Sequence, residues 1–125
     1  MKLLFLPALL LLIISNGPKA QQKDPCAGET TFEMRQCAGK KYKQADDELN
    51  KIYQRLMSKL SADEKASLKT AQQAWLKYRD TNCDFESFLY RGGTMAPLVG
   101  TQCLVDMTIL RTKELKQQIE DMERE

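Results

Sequence analysis

The sequence predicts an all-α domain, a three-helix antiparallel bundle stapled by two disulfides. Three observations predict it. Apolar residues recur in steps of three and four over three long segments. Capping residues and a glycine pair punctuate those segments. Four cysteines, Cys26, Cys37, Cys83 and Cys103, follow an apolar N-terminal leader.

The leader comes first in the chain. Lys2 gives a minimal positive start, and Leu3 to Ile14 is an apolar run interrupted at Pro7. A membrane span needs about 20 apolar residues, so this shorter run reads as the core of a secretory signal peptide. Residues 1–20 form that signal peptide, with cleavage expected after Ala20, and residues 21–125 form one helical domain. Lys23-Asp24-Pro25 precedes Cys26, where a lipid-modified cysteine would follow small apolar residues. The chain has 19 Lys+Arg and 17 Asp+Glu, and loss of Lys2 and Lys19 with the leader leaves 17 of each. A formally neutral protein lacks the basic field of a nucleic-acid binder, so no nucleic-acid partner is expected. No later stretch has the length of a span, so no integral membrane segment is expected after cleavage. The expected location is periplasmic or secreted.

The domain begins with a polar lead-in from Gln21 to Gly28. Thr30 and Glu33 then form a T-x-x-E capping box. Met34, Ala38, Tyr42, Ala45, Leu49, Ile52, Tyr53, Leu56 and Leu60 mark the apolar stripe of the first helix. Lys40, Lys43, Asp47, Lys51 and Arg55 lie on its opposite face. Ser61 and Glu64 form a second capping box, which ends the first helix and begins the second. Leu68, Ala71, Trp75, Tyr78, Asn82, Phe85 and Leu89 form the second stripe, stopped by Gly92-Gly93. Pro97 suits the first turn of a third helix, whose stripe is Leu104, Met107, Thr108, Arg111, Leu115, Ile119 and Met122. Short connections make sequential helices antiparallel neighbours.

Export permits the cysteines to pair. Their spacings of 11, 46 and 20 contain no C-x-x-C, and the chain has no histidine. No metal site and no other cofactor is expected. Four cysteines allow three connectivities. Cys37 lies 24 residues before Ser61 and Cys83 lies 22 after it, so both fall at similar heights in a hairpin. Cys103 is about as far past the glycine pair as Cys83 is before it. This register favours Cys37–Cys83 with Cys26–Cys103, closely followed by Cys37–Cys103 with Cys26–Cys83. In both, the staples pin the end that carries Gly92-Gly93.

The absence of histidine excludes Ser-His and Cys-His catalysis. Oxidised cysteines are not nucleophiles, and Asp46-Asp47 and Asp63-Glu64 read as a solvated face and a cap. No catalytic residue is assigned, and the chain is not expected to be an enzyme. Mixed charge on the polar faces disfavours a lipid-binding amphipathic helix. Polar residues on or beside the stripes read as a structural network that fixes how the helices dock: Asn50, Tyr53, Trp75, Arg79, Asp80, Thr108 and Arg111. Arg79 is expected to stack on Trp75 while pairing with a carboxylate, and Asp80 or Asp84 is the expected partner of Arg111. The candidate partner-binding surface is Phe88, Tyr90, Arg91, Gly92, Gly93, Thr94 and Met95, an aromatic and arginine cluster at a glycine turn. Phe85 borders it and is assigned to the core from its stripe position.

Three ordered motifs complete the reading. Leu49-Asn50 with Tyr53 gives L-N-x-x-Y. Gln73-Ala74-Trp75, Arg79-Asp80 and Cys83 give Q-A-W-x-x-x-R-D-x-x-C. Cys103, Thr108, Arg111 and Leu115 give C-x-x-x-x-T-x-x-R-x-x-x-L. With Cys26 and Cys37, this set resembles the lysozyme inhibitor LprI-like N-terminal domain family, formerly a domain of unknown function, from Cys26 to Leu115. The resemblance implies a secreted or periplasmic bacterial helical domain with a protein partner, lysozyme. The alternative is a non-inhibitory envelope protein that binds another protein or a cell-wall component through the same surface.

Overall fold

The structure, a computed structural model, describes residues 25–124. The expected signal peptide and its cleavage site lie outside the described residues. A short 3-10 turn, Pro25–Ala27, leads into three long helices: α1 (Thr31–Met57), α2 (Ala62–Phe88) and α3 (Ala96–Arg124). Among the described residues there is no strand.

Both expected capping boxes are formed. The Thr30 hydroxyl accepts from the Glu33 amide, and the Glu33 carboxylate accepts from the Thr30 amide. Ser61 and Glu64 repeat the pattern at the start of α2. The Ser61 amide, and then its hydroxyl, hold the Glu64 carboxyl below its ordinary pKa. Each box satisfies two amides that an α-helix leaves without an internal partner.

The chain runs up, down and up. Glu48 pairs with Lys116 at 2.8 Å and Glu123 with Arg55 at 3.0 Å, so α1 and α3 are parallel. The Glu123 carboxyl is held below its ordinary pKa by Lys59 and then by Arg55. α2 is antiparallel to both, since Arg79 meets Asp46 and Thr108 while Gln72 meets Arg111.

The helices do not share contacts evenly. α3 packs closely along α1 and along α2, whereas the backbones of α1 and α2 scarcely approach each other. The apolar core accordingly lies between α1 and α3, as Leu49, Ile52, Leu56, Leu115 and Ile119. Tyr53, Leu60, Leu68 and Trp75 pack against it. All of these lie towards the end where α1 turns into α2. Towards the other end the buried apolar residues are small or sulfur-bearing: Cys37, Ala38, Ala45, Cys83, Cys103 and Val105.

The disulfides are Cys26–Cys37 and Cys83–Cys103. This corrects the pairing favoured from helix heights, Cys37–Cys83 with Cys26–Cys103, and the one ranked next. Equal height is not sufficient; Cα atoms must come within about 7 Å with their Cβ atoms facing. Cys37 borders α3 near Leu98 and Val99, while Cys83 borders α3 near Gly100 and Leu104. The start of α3 therefore stands between them, and each bridge closes a local loop instead. Cys26–Cys37 ties the lead-in to α1, and Cys83–Cys103 ties α2 to α3 with Cα atoms 5.5 Å apart.

The assignment of Phe85 to the core is also corrected: it is 59% exposed. α2 buries Gln72, Arg79 and Cys83, one position round from the stripe of Ala71, Tyr78 and Phe85. On that inward face Gln72 reaches Arg111 of α3, and Arg79 reaches Asp46 of α1 and Thr108 of α3. Among the described residues no helix is long and apolar enough to cross a membrane, and no group of His, Cys, Asp and Glu could hold a metal ion.

Candidate functional site

The gap between α1 and α2 is filled by a guanidinium seam. Arg79 is only 5% exposed. Its Nε and Nη2 reach Asp80 Oδ1 at 2.8 Å, and its Nη1 lies 3.3 Å from Thr108 Oγ1 and 3.5 Å from Asp46 Oδ1. The guanidinium carbon sits 5.3 Å from the Trp75 ring centre and 5.6 Å from that of Tyr42. Thr108 is fully buried, and its carbonyl accepts from the Thr112 hydroxyl. Arg111 lies 5.9 Å from the same indole, donates to Gln72 Oε1 at 3.0 Å and pairs with Glu114 at 2.9 Å. Trp75 thus contacts two cations, a geometry suited to the negative face of its ring.

The structure therefore brings Trp75, Arg79, Asp80, Thr108 and Arg111 together. Asn50 joins at the edge by donating to Asp46 at 3.3 Å. Tyr53 packs on the apolar core instead. The expected pairing of Arg111 with Asp80 or Asp84 is corrected: Asp80 serves Arg79, and Arg111 uses Gln72 and Glu114. Among the described residues no buried side-chain nitrogen or oxygen lacks a partner. A cleft of about 510 Å³ opens over Arg79, lined also by Tyr42, Asp84, Ser87 and Thr101. Thr108 from the interior, and Asp46 and Asp80 from the solvent side, occupy the Arg79 donors.

The other candidate site is the connection from α2 to α3. α2 ends at Phe88, and successive amides close tight turns: Tyr90 to the Ser87 carbonyl at 3.0 Å, Arg91 to Phe88 at 3.1 Å, Gly93 to Tyr90 at 3.2 Å. Gly92 turns the chain at φ +85°, a conformation that costs glycine little. Ser87 Oγ donates to the Ala96 carbonyl at 2.9 Å, so the last turn of α2 holds the first residue of α3. Gly100 lets the helices meet: a Cβ there would stand 3.1 Å from Ser87 Cβ. Cys83–Cys103 locks this hairpin from beneath.

On this braced turn the apolar side chains face solvent. Phe85, Phe88, Leu89, Tyr90 and Met95 are all exposed. The Arg91 guanidinium lies 4.2 Å from the Phe88 ring centre. Leu89 and, one turn before Asn82, Tyr78 extend the exposed face beyond the residues singled out from sequence. Their placement on the second apolar stripe concealed them, because apolar periodicity does not say which helices stand close enough to cover it.

Residues 22–115 match the family model described as lysozyme inhibitor LprI. The chain belongs to that family. It is 37% identical to an uncharacterized protein of Rhizobium meliloti (strain 1021), with 94% of this chain and 96% of the relative covered. No solved structure gives a significant match. In this LprI family member Trp75, Arg79-Asp80, Thr108 and Arg111 serve the seam between helices, while the exposed turn stands apart from it.

Proposed function

We propose that this LprI family member is an exported inhibitor that binds a lysozyme by surface complementarity, through Phe88, Tyr90, Arg91, Gly92, Gly93, Thr94 and Met95, joined by Phe85 and Leu89. The signal peptide of residues 1–20, removed after Ala20, delivers it to the periplasm or the exterior, where disulfides persist. It acts by occupying the cleft of the enzyme and performs no chemistry of its own. Its partner is a protein; no cofactor takes part.

One observation carries this reading: a turn braced by a disulfide and by backbone hydrogen bonds holds five large apolar side chains in solvent. Aromatic side chains supply large contact area at low entropic cost. Together the five offer on the order of 500 Å² of apolar surface, against about 800 Å² per partner in a standard interface. A soluble domain leaves such a patch uncovered at a risk of aggregation unless something docks there. Pre-organisation by the bridge reduces the ordering cost of binding.

The test is lysis of bacterial cell walls by a c-type lysozyme with the purified oxidised protein added, beside a reduced and alkylated control. Dose-dependent inhibition by the oxidised protein alone is the expected result. A folded, oxidised sample without effect would contradict the reading and favour the non-inhibitory envelope role.

A further inference from the structure

Between Glu86 and Asp106 the chain carries a single charged residue, Arg91, although 29% of the whole chain is charged. The structure places that lone cation at the tip of the braced turn. Its guanidinium is stacked on Phe88 and flanked by Tyr90 and Gly92, and among the described residues no carboxylate pairs with it. Four other guanidiniums pair with carboxylates: Arg79 with Asp46 and Asp80, Arg111 with Glu114, Arg55 with Glu123 and Arg124 with Asp121.

We propose that Arg91, presented on the Phe88 ring, is the anchor of the interface and docks against a carboxylate at the floor of the partner's cleft, one of the catalytic pair. This rests on the reading of the protein as a lysozyme inhibitor. The argument runs through desolvation. The segment around Arg91 carries no other charge and exposes Phe88, Leu89, Tyr90 and Met95, so a partner that covers it removes water from the guanidinium. A buried cation without an anion is strongly unfavourable. The partner must therefore supply a negative group where Arg91 arrives. Glycoside hydrolases carry two carboxylates on either side of the scissile bond, inside a cleft. A planar guanidinium binds such a group with two parallel hydrogen bonds. Stacking on Phe88 fixes the plane of the fork before binding, and the rim of Phe85, Leu89, Tyr90 and Met95 excludes water once docked. Inhibition is then competitive with the substrate.

The experiment is a double-mutant cycle of dissociation constants. It pairs the full protein, Arg91→Ala and Arg91→Lys with a c-type lysozyme and with the same enzyme carrying amides in place of its catalytic carboxylates. Arg91→Ala is expected to weaken binding about 100-fold, with an unchanged melting temperature. Arg91→Lys, which keeps the charge but not the fork, falls between. The amide enzyme is expected to bind the unmodified protein about 100-fold more weakly, with little further loss on Arg91→Ala. Unmodified protein that binds lysozyme, with both Arg91 variants binding equally well, would overturn the anchor and leave the inhibitor reading standing. Additive losses would also overturn it. No binding of lysozyme by the unmodified protein would overturn both.

Discussion

The two ends of the bundle are held by different means. Where α1 turns into α2, branched apolar residues from α1 and α3 form the core, with Leu115 and Leu49 almost fully buried. A capping box and the ion pairs of Glu123 with Arg55 and Lys59 finish that end. At the other end, among the described residues, no leucine or isoleucine is buried; small residues and cysteines fill the interior, and two disulfides hold it. The larger apolar side chains there, Phe85, Phe88, Leu89 and Tyr90, face out. The difference teaches how a chain of this size keeps a sticky surface. Covalent bonds of about 3 kcal/mol each, acting mainly on the unfolded chain, stand in for the apolar burial that the exposed aromatics do not provide.

Substitutions at the two ends sharpen this contrast. The largest stability loss is expected at the core end. Leu115→Ala empties a fully buried site and should cost about 4 kcal/mol in denaturant unfolding. A cost below about 1 kcal/mol would mean that the core is not where stability resides. Between the two ends, Arg79→Ala empties a buried site, leaves the buried Thr108 hydroxyl without that donor and removes a cation from Trp75, for about 3 kcal/mol. Arg79→Met, which still fills the gap between α1 and α2, should recover part of that by the same measurement.

At the stapled end, replacing Cys83 and Cys103 together by alanine is expected to cost about 3 kcal/mol. It should also remove inhibition under conditions where the variant stays folded by circular dichroism. The matching Cys26 and Cys37 variant should lose stability but keep inhibition once folded, because that bridge ties only the lead-in to α1. Equal effects on inhibition would erase the distinction between the bridges.

The smallest effect concerns acid. Glu64 has its pKa lowered by the Ser61 amide and hydroxyl. A depressed carboxylate stabilises the fold above its unfolded value, near pH 4, and that contribution is lost as pH falls through the depressed value. Thermal melts should therefore fall slightly below about pH 4, and Glu64→Gln, which can still accept from the Ser61 amide, should flatten that slope. The group is exposed, so the change is small.

Much of this was legible in the sequence. Both capping boxes, the glycine turn and the proline in the first turn of α3 are local signals, and local geometry follows them. The stripe of α1 was legible because α1 meets α3 along its length. The stripe of α2 was not, because its backbone stands away from α1, and its inward positions carry Gln72 and Arg79, which apolar periodicity reads as outward. The same distance hid the disulfide pairing. Helix height can be counted along a chain, but which helix stands between two cysteines is a tertiary fact. The turn at Tyr90 to Met95 was legible as a surface because glycine and aromatics cluster there. Its bracing by Ser87, Gly100 and Cys103 was not, since those contacts join separate helices.

The division of labour between the ends is tested most directly by the double variant Tyr90→Ala/Arg91→Ala, followed by thermal melting and by inhibition of a c-type lysozyme in cell-wall lysis. An unchanged melt with inhibition abolished is the predicted result. Full inhibition by the folded variant, or a melt lowered as far as that of Leu115→Ala, would contradict it.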